Sequence, residues 1–204
     1  MFSFRSLISV GAILAMPMLA SVANSAPREP SIAAVKSAAA KYRDVKVAIA
    51  EGFTTDGKCT TAEMLGYPAS QGAMGLHYIR KDLLGIGSPQ PGRVTGTGTY
   101  TNFLKPSMLV YEPQVDGSLK LIAVENLVFA SAWRAAGHHE PPKFHGVQYV
   151  LLKDDPTTKL DEAHNYEPHY ELHIWAFRRN RLGMFKEFNP LVTCRYNKAP
   201  DKHM

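Results

Sequence analysis

The chain has 204 residues, of which 45% are hydrophobic, and a formal net charge of +5. This length suits one domain with its own core. The mild charge argues against a nucleic-acid partner, because a nucleic-acid-binding protein typically has a basic stripe interleaved with aromatic residues. The densest basic run, Arg178-Arg179-Asn180-Arg181, follows a predicted strand, where we favour a solvated turn over an anion site.

Residues 1–23 are predicted to be a secretory signal peptide. Arg5 gives a positive start, residues 7–20 are largely apolar, and Ser21-Val22-Ala23 supplies the small residues that signal peptidase reads. An uncleaved anchor is disfavoured, because a bilayer-spanning helix needs about 20 apolar residues. We therefore expect cleavage near Ala23 and a periplasmic or secreted protein. Residues 24–204 are expected to form a single α+β domain with no integral membrane segment.

A long amphipathic helix is predicted over residues 31–51. Ser31 can cap its start, apolar residues follow at spacings of three and four, and Gly52 is a natural stop. A kink is allowed near Arg43-Asp44. Residues 54–73 are rich in Thr, Gly and Ser and are predicted to be loop.

Antiparallel strands are predicted in the rest of the chain. They cover residues 76–80, 108–112, 119–129, 147–152 and 169–178. Asp116-Gly117 is a strong hairpin signal between the second and third of these strands. A short helix is predicted over 130–137, and residues 154–168 are predicted to be polar loop. One long N-terminal helix packed on an antiparallel sheet with long loops is an α+β fold.

The two cysteines, Cys59 and Cys194, are an even number in a chain expected to be exported, which favours a disulfide. The alternative is two free thiols, available as metal ligands. Neither cysteine has a second cysteine or a histidine at the usual ligand spacing, which disfavours this alternative.

The run His169-Tyr170-Glu171-Leu172-His173-Ile174-Trp175 has two histidines and a carboxylate at alternate positions. In a strand, these side chains and that of Trp175 share one face. His169 and His173 would then be about 13 Å apart, too far for one metal ion. His169 follows Pro168 at the start of the strand and is expected in solvent. We therefore expect His173 alone to point inward, with Trp175 as a wall.

Two further polar residues interrupt apolar strands. By strict alternation, one face of strand 119–129 holds Leu119, Leu121, Ala123, Glu125, Leu127 and Phe129. Because burying an unpaired carboxylate is very costly, Glu125 is interpreted as a metal ligand or acid–base group, or as the partner of a buried cation or histidine. His77 shares a face with Ile79 and is interpreted either as a hydrogen-bonded core histidine or as a ligand.

Together, His77, Glu125 and His173 form the candidate metal set. Two histidines and one carboxylate on neighbouring strands make the facial arrangement of non-haem iron sites, and with a solvent ligand they could also hold zinc. The expected cofactor, if one is bound, is therefore a divalent metal, zinc or iron. His138-His139, in a loop beside Glu140, is interpreted as an adventitious metal-binding pair.

Short stretches along the chain also occur together as a pattern. They are Lys41-Tyr42-Arg43-Asp44-Val45, Ala50-Glu51-Gly52-Phe53, Cys59, Gly72-Ala73-Met74-Gly75-Leu76-His77-Tyr78, Leu109-Val110-Tyr111-Glu112-Pro113, Leu121-Ile122-Ala123-Val124-Glu125, Tyr170-Glu171-Leu172-His173-Ile174-Trp175, Asn180, Gly183-Met184-Phe185, Asn189-Pro190 and Cys194. In combination they resemble a family of uncharacterised exported bacterial proteins. The resemblance implies a Cys59–Cys194 pair and a polar set of His77, Glu125 and His173. It implies no activity. Arg181 stands where the family usually has proline.

Three functional hypotheses follow from these expectations. The first is an exported single-domain module that binds a small ligand or a metal, or is structural. The alternative is a metal-dependent enzyme in which His77, Glu125 and His173 hold the metal and Tyr78 or Glu171 moves a proton. An interaction module that uses Arg178, Arg179 and Arg181 against an acidic partner is a third, less favoured hypothesis.

Overall fold

The structure, a computed structural model, describes residues 28–87 and 92–198. The predicted signal peptide lies outside the described residues. Within them, a short helical segment and a six-stranded antiparallel sheet make a mixed helix and strand fold. None of the helices in the described part has the length and apolar character needed to cross a membrane.

The predicted long helix is wrong, because the helical segment is short and broken. Helix α1 spans Ile32–Ala39 and continues as a 3-10 turn over Ala40–Arg43, and α2 spans Val45–Ala50. Ser31 caps α1 as predicted, since its hydroxyl accepts a hydrogen bond from the backbone N–H of Ala34. Asp44 causes the break: its backbone is extended and its carboxylate accepts from the N–H of Lys46. Asp competes with helix continuation in this way and favours a new N-terminus.

The described residues form eight strands, and six of them make the main sheet. The strands are β1 (Cys59–Thr61), β2 (Ala73–Ile79), β3 (Met108–Pro113), β4 (Leu119–Phe129), β5 (Lys143–Phe144), β6 (Val147–Gln148), β7 (Val150–Leu152) and β8 (His169–Ile174), with helix α3 (Ala130–Ala135) after β4. The order in the main sheet is β1-β2-β3-β4-β8-β7, and every neighbouring pair is antiparallel. Strands β5 and β6 form a separate ribbon.

Several strand predictions are confirmed, and three are corrected. The predicted strand 169–178 ends at Ile174, four residues early. The hairpin between β3 and β4 is present, and Gly117 adopts a φ of 83° in its turn, a conformation that glycine accepts freely. Strand β1 lies in the segment predicted to be loop; it is only three residues long and has no apolar alternation. The predicted strand 147–152 is divided, because Tyr149 separates β6 from β7 and the two strands belong to different sheets.

The two faces of the sheet have different partners. On one face, side chains of the helical segment such as Val35 and Tyr42 join a core cluster with Tyr111, Val124 and Leu172. On the opposite face, Met108, Leu127 and Phe129 pack with Ile79 and Leu84. The first face is therefore an ordinary core, and the second is the face that carries the polar cluster described below.

A bulge in the β3–β4 pairing sets which side chains of β4 reach this second face. Val110 pairs with Ala123 while Tyr111 pairs with Leu121, so Ile122 is an extra residue. Leu119 and Leu121 consequently pack in the helix-side cluster, whereas Ala123 packs on the other side. The prediction that Leu119 and Leu121 share a face with Glu125 is therefore wrong, since strict alternation fails at the bulge.

A disulfide joins Cys59 in β1 to Cys194, with 5.6 Å between the two Cα atoms. The predicted pairing is confirmed, and the alternative of free thiols as metal ligands does not hold. The bond ties an edge strand of the sheet to the C-terminal segment, across 135 positions in sequence.

Candidate metal centre

Three side chains predicted as metal ligands meet on the second face of the sheet. Glu125 and His173 are direct cross-strand partners on β4 and β8. His77 comes from β2, on the far side of β3. Its Nε2 lies 3.2 Å from Glu125 Oε2, and His173 Nε2 lies 3.2 Å from the same oxygen. One donor atom from each residue lies within 4.8 Å of the other two.

These donor atoms are buried and unpaired. Glu125 and His173 are 0% and 1% exposed. Both carboxylate oxygens of Glu125, both ring nitrogens of His173 and Nε2 of His77 have no hydrogen-bond partner among the described residues. The two 3.2 Å contacts therefore lack hydrogen-bond geometry. Because buried polar groups are almost always paired, unpaired donor atoms from three residues within 4.8 Å of one another indicate that a cation or a proton belongs between them.

Burial shifts the pKa values of these groups in the direction that favours their neutral forms. Desolvation raises the pKa of Glu125 to about 8. Desolvation also lowers the pKa of His77 and holds the pKa of His173 well below its ordinary value. Both imidazoles are therefore neutral near pH 7, which is the form that binds a metal.

The other two polar residues of β8 lie on the same face, and both are buried. His169 is 0% exposed and Glu171 is 1% exposed. The expectation that His169 lies in solvent is therefore wrong. The loop of residues 153–168 folds back over the start of β8, and the His164 ring centroid lies 5.7 Å from that of His169. Strand alternation places His169 on this face, but gives no information about the loop that covers it.

His164 is the site residue that sequence reasoning missed. It lies in the loop predicted to be merely polar, and its φ of 38° is unusual for a residue with a side chain. With His169 and Glu171 it forms a second group of donors within 4.8 Å of one another. No local pattern marks it, because a contact from a loop to a strand depends on how the loop folds.

Arg93 fixes the loop that carries His164. Its guanidinium donates to Asp154 and to Asp161, and its Nε donates to the carbonyl of Tyr166. Asp161 in turn accepts from the backbone N–H of Asn165, next to His164. A planar guanidinium that bridges two carboxylates holds their separation. The loop is thus positioned by a network of arginine–aspartate ion pairs outside the cluster.

A cavity of about 1200 Å³ borders the cluster. His77, His164 and Glu171 belong to its lining, and Ile79, Met108 and Leu127 are among its apolar walls. Largely apolar concave sites with a few convergent polar groups are typical of small-ligand sites. The cavity therefore gives a small molecule access to part of the cluster.

Trp175 forms a wall of the cluster, as predicted. Its ring stacks on that of His173, with 5.7 Å between centroids and 11° between planes. Its indole N–H donates to the carbonyl of Lys186, which fixes the ring. Tyr78 does not reach the cluster: it packs against Tyr111 in the helix-side core. Of the two proton carriers considered from the sequence, only Glu171 is at the site.

Comparisons with protein-family models, with curated proteins and with solved structures found no significant match. The resemblance to exported bacterial proteins stays a prediction.

Proposed function

We propose that this is an exported, single-domain protein that binds a divalent metal ion through His77, Glu125 and His173. The observation that carries the proposal is the convergence of buried donor atoms without hydrogen-bond partners. Two neutral imidazoles and a carboxylate suit zinc or ferrous iron, and three protein ligands leave a position open for water or a ligand.

The bordering cavity supports a role in binding a small molecule as well as the ion. It has His77 in its lining, so a molecule in the cavity could reach the open position on a metal held by the three residues. Its apolar walls favour a ligand with an apolar body and one metal-binding group.

Export is supported by the disulfide. Structural disulfides persist in oxidising compartments and are rare in the cytosol. The Cys59–Cys194 bond therefore agrees with the predicted signal peptide and with a periplasmic or secreted protein.

A metal-dependent enzyme is the second candidate. Glu171 favours it, because this buried carboxyl lies at the cavity with its Oε1 3.8 Å from His173 Nδ1. Burial raises its pKa to about 7, which suits a group that accepts a proton from metal-bound water. In this candidate, Glu125 and the two histidines hold the ion and Glu171 acts as the base.

Elemental analysis of the exported protein, purified without an affinity tag, tests the proposal. We expect a stoichiometric divalent metal in the wild type and in His139→Ala, which removes an exposed histidine outside the cluster. We expect the metal content to fall by one ion per chain in His77→Ala and in His173→Ala. A metal-free wild type whose melting temperature does not change on adding zinc, iron or copper would refute the proposal.

A further inference from the structure

The second donor group needs an explanation of its own. His164, His169 and Glu171 share no residue with the first group, and one donor atom from each lies within 4.8 Å of the others. His164 Nε2 and Glu171 Oε1 are buried and have no hydrogen-bond partner among the described residues. The two groups are adjacent. Glu171 Oε1 lies 3.8 Å from His173 Nδ1, and the stacked rings of His77 and His164 have 6.5 Å between their centroids.

The hydrogen bonding of His169 presents one nitrogen to this second group. His169 Nδ1 lies 2.9 Å from the carbonyl oxygen of Glu167, which can only accept, so Nδ1 carries the proton. In the neutral ring, Nε2 then has a lone pair, and it faces Glu171 Oε2 at 3.4 Å. A lone pair and a carboxylate repel each other unless a proton or a metal ion lies between them. A backbone carbonyl bound to Nδ1–H is also the usual partner of a metal-binding histidine.

The charge balance of the whole cluster also calls for cations. Glu125 and Glu171 are neighbouring buried carboxyl groups on one face of the sheet. Within the described ranges, neither lies within ion-pair distance of a lysine or an arginine, and the basic side chains within that distance of them are imidazoles. Two ionised carboxylates in such a site are stable only with protons or metal ions beside them.

The geometry points to a dinuclear centre, in which His164, His169 and Glu171 hold a second divalent ion beside the ion held by His77, Glu125 and His173. This inference rests on the proposed function and extends it. Each ion has two imidazoles and one carboxylate, a donor set for zinc, iron or manganese. In two-metal sites the ions are about 3.5–4 Å apart, and a ligand or water can bridge them.

This assignment competes with two roles of Glu171 in a one-metal site. Glu171 could be the base of the enzyme candidate, or an outer carboxylate that accepts a hydrogen bond from Nδ1–H of His173 and orients that ring. In either role it contacts no ion, so the number of bound ions distinguishes the assignments.

Metal stoichiometry measured by zinc titration and native mass spectrometry is the test. We expect two zinc ions per wild-type chain, and one in each of His164→Asn, Glu171→Gln and His77→Ala. His164→Asn is the main variant, because Asn tolerates the positive φ at this position and the residue is only partly buried. His139→Ala is the matched control and should bind two ions. Circular dichroism and unreduced peptide mapping check that each variant is folded and disulfide-bonded.

The other outcomes separate this inference from the proposed function. One ion in the wild type, lost in His77→Ala but retained in His164→Asn and Glu171→Gln, would overturn the dinuclear centre and leave the first site standing. No ion in the wild type would overturn both. Two ions in the wild type that are both retained in His164→Asn and in Glu171→Gln would place the second ion elsewhere and also overturn the assignment.

Discussion

Glu125 and His173 face each other on the neighbouring strands β4 and β8, with 3.2 Å between Glu125 Oε2 and His173 Nε2. Their positions are set by the backbone ladder of the sheet, so the pair is held in place before any ligand arrives. A pair fixed in this way keeps its geometry when the site is empty. Holding the two groups together without an ion lowers the stability of the metal-free protein.

Metal-free protein should lose stability as pH rises, and Glu125 should be a main cause. Burial raises the pKa of Glu125 from 4.5 to about 8. The folded state therefore holds this proton more tightly than the unfolded chain, and the resulting stability is complete below pH 4.5 and lost as pH rises through about 8. We expect the melting temperature of metal-free Glu125→Gln to fall less between pH 5 and 8.5 than that of the wild type. Parallel curves for the two proteins would contradict the assignment.

Metal binding should stabilise the fold. A ligand that binds only the folded state at 100 times its Kd adds about 2.7 kcal/mol. For a chain of this size, that corresponds to a rise of about 5–10 °C in the melting temperature. We expect this rise on adding zinc to metal-free wild type and to His139→Ala. In His173→Ala the rise should be much smaller; an equal rise would place the stabilising ion elsewhere.

Trp175 should report occupancy by fluorescence. The chain has two tryptophans, and Trp133→Phe leaves Trp175 as the single one. Because the Trp175 ring stacks on His173, a paramagnetic ion on that imidazole should quench its emission. One equivalent of cobalt should therefore quench Trp133→Phe strongly. The same titration of the Trp133→Phe, His173→Ala double variant should show little quenching, and equal quenching in both would refute the contact.

Removal of the disulfide should lower stability substantially. In the chain-entropy model, a bond across 135 positions stabilises by about 4–5 kcal/mol, because it restricts the unfolded chain. We expect a decrease of this order in the free energy of unfolding in urea for the Cys59→Ser, Cys194→Ser double variant. A decrease below about 1 kcal/mol would mean that the unfolded chain is not constrained by the bond.

Arg93 should control the second ion and not the first. Arg93→Lys keeps the charge, but it cannot bridge Asp154 and Asp161 with a planar fork. The loop that carries His164 should then be less fixed, and affinity for the second zinc ion should fall roughly 10-fold or more. Arg181→Lys, at an exposed turn, is the control. Unchanged affinity for both ions in Arg93→Lys would show that the loop does not depend on this network.

Part of the first donor group is predictable from the sequence, because strand alternation is a local signal. Alternation in β4 and β8 places Glu125 and His173 on defined faces, and the hairpin signal at Asp116-Gly117 sets β3 beside β4. The second group depends on tertiary structure. The loop that carries His164 and buries His169 has no periodicity, and its position depends on an arginine about 70 residues earlier in the chain.

The same distinction between local signals and tertiary contacts explains the errors in the predicted fold. The apolar stripe over residues 31–51 is continuous, yet one aspartate ends the helix by capping the next. The bulge at Ile122 depends on how β4 pairs with β3, and the sequence of one strand alone does not show that pairing. Strand β1 is short and polar, and it is held by β2 and by the bond from Cys59 rather than by its own pattern.

The topology of the sheet also determines when, during folding, the first donor group is complete. Residues 77, 125 and 173 lie on three strands spread over most of the described chain, and β3 must lie between the first two. No early fragment of the nascent chain contains the complete first donor group. A chain translocated before folding would acquire its ion only after the sheet closes, outside the cytoplasm. The metals available in that compartment, rather than relative affinities alone, would then decide which ion the protein carries.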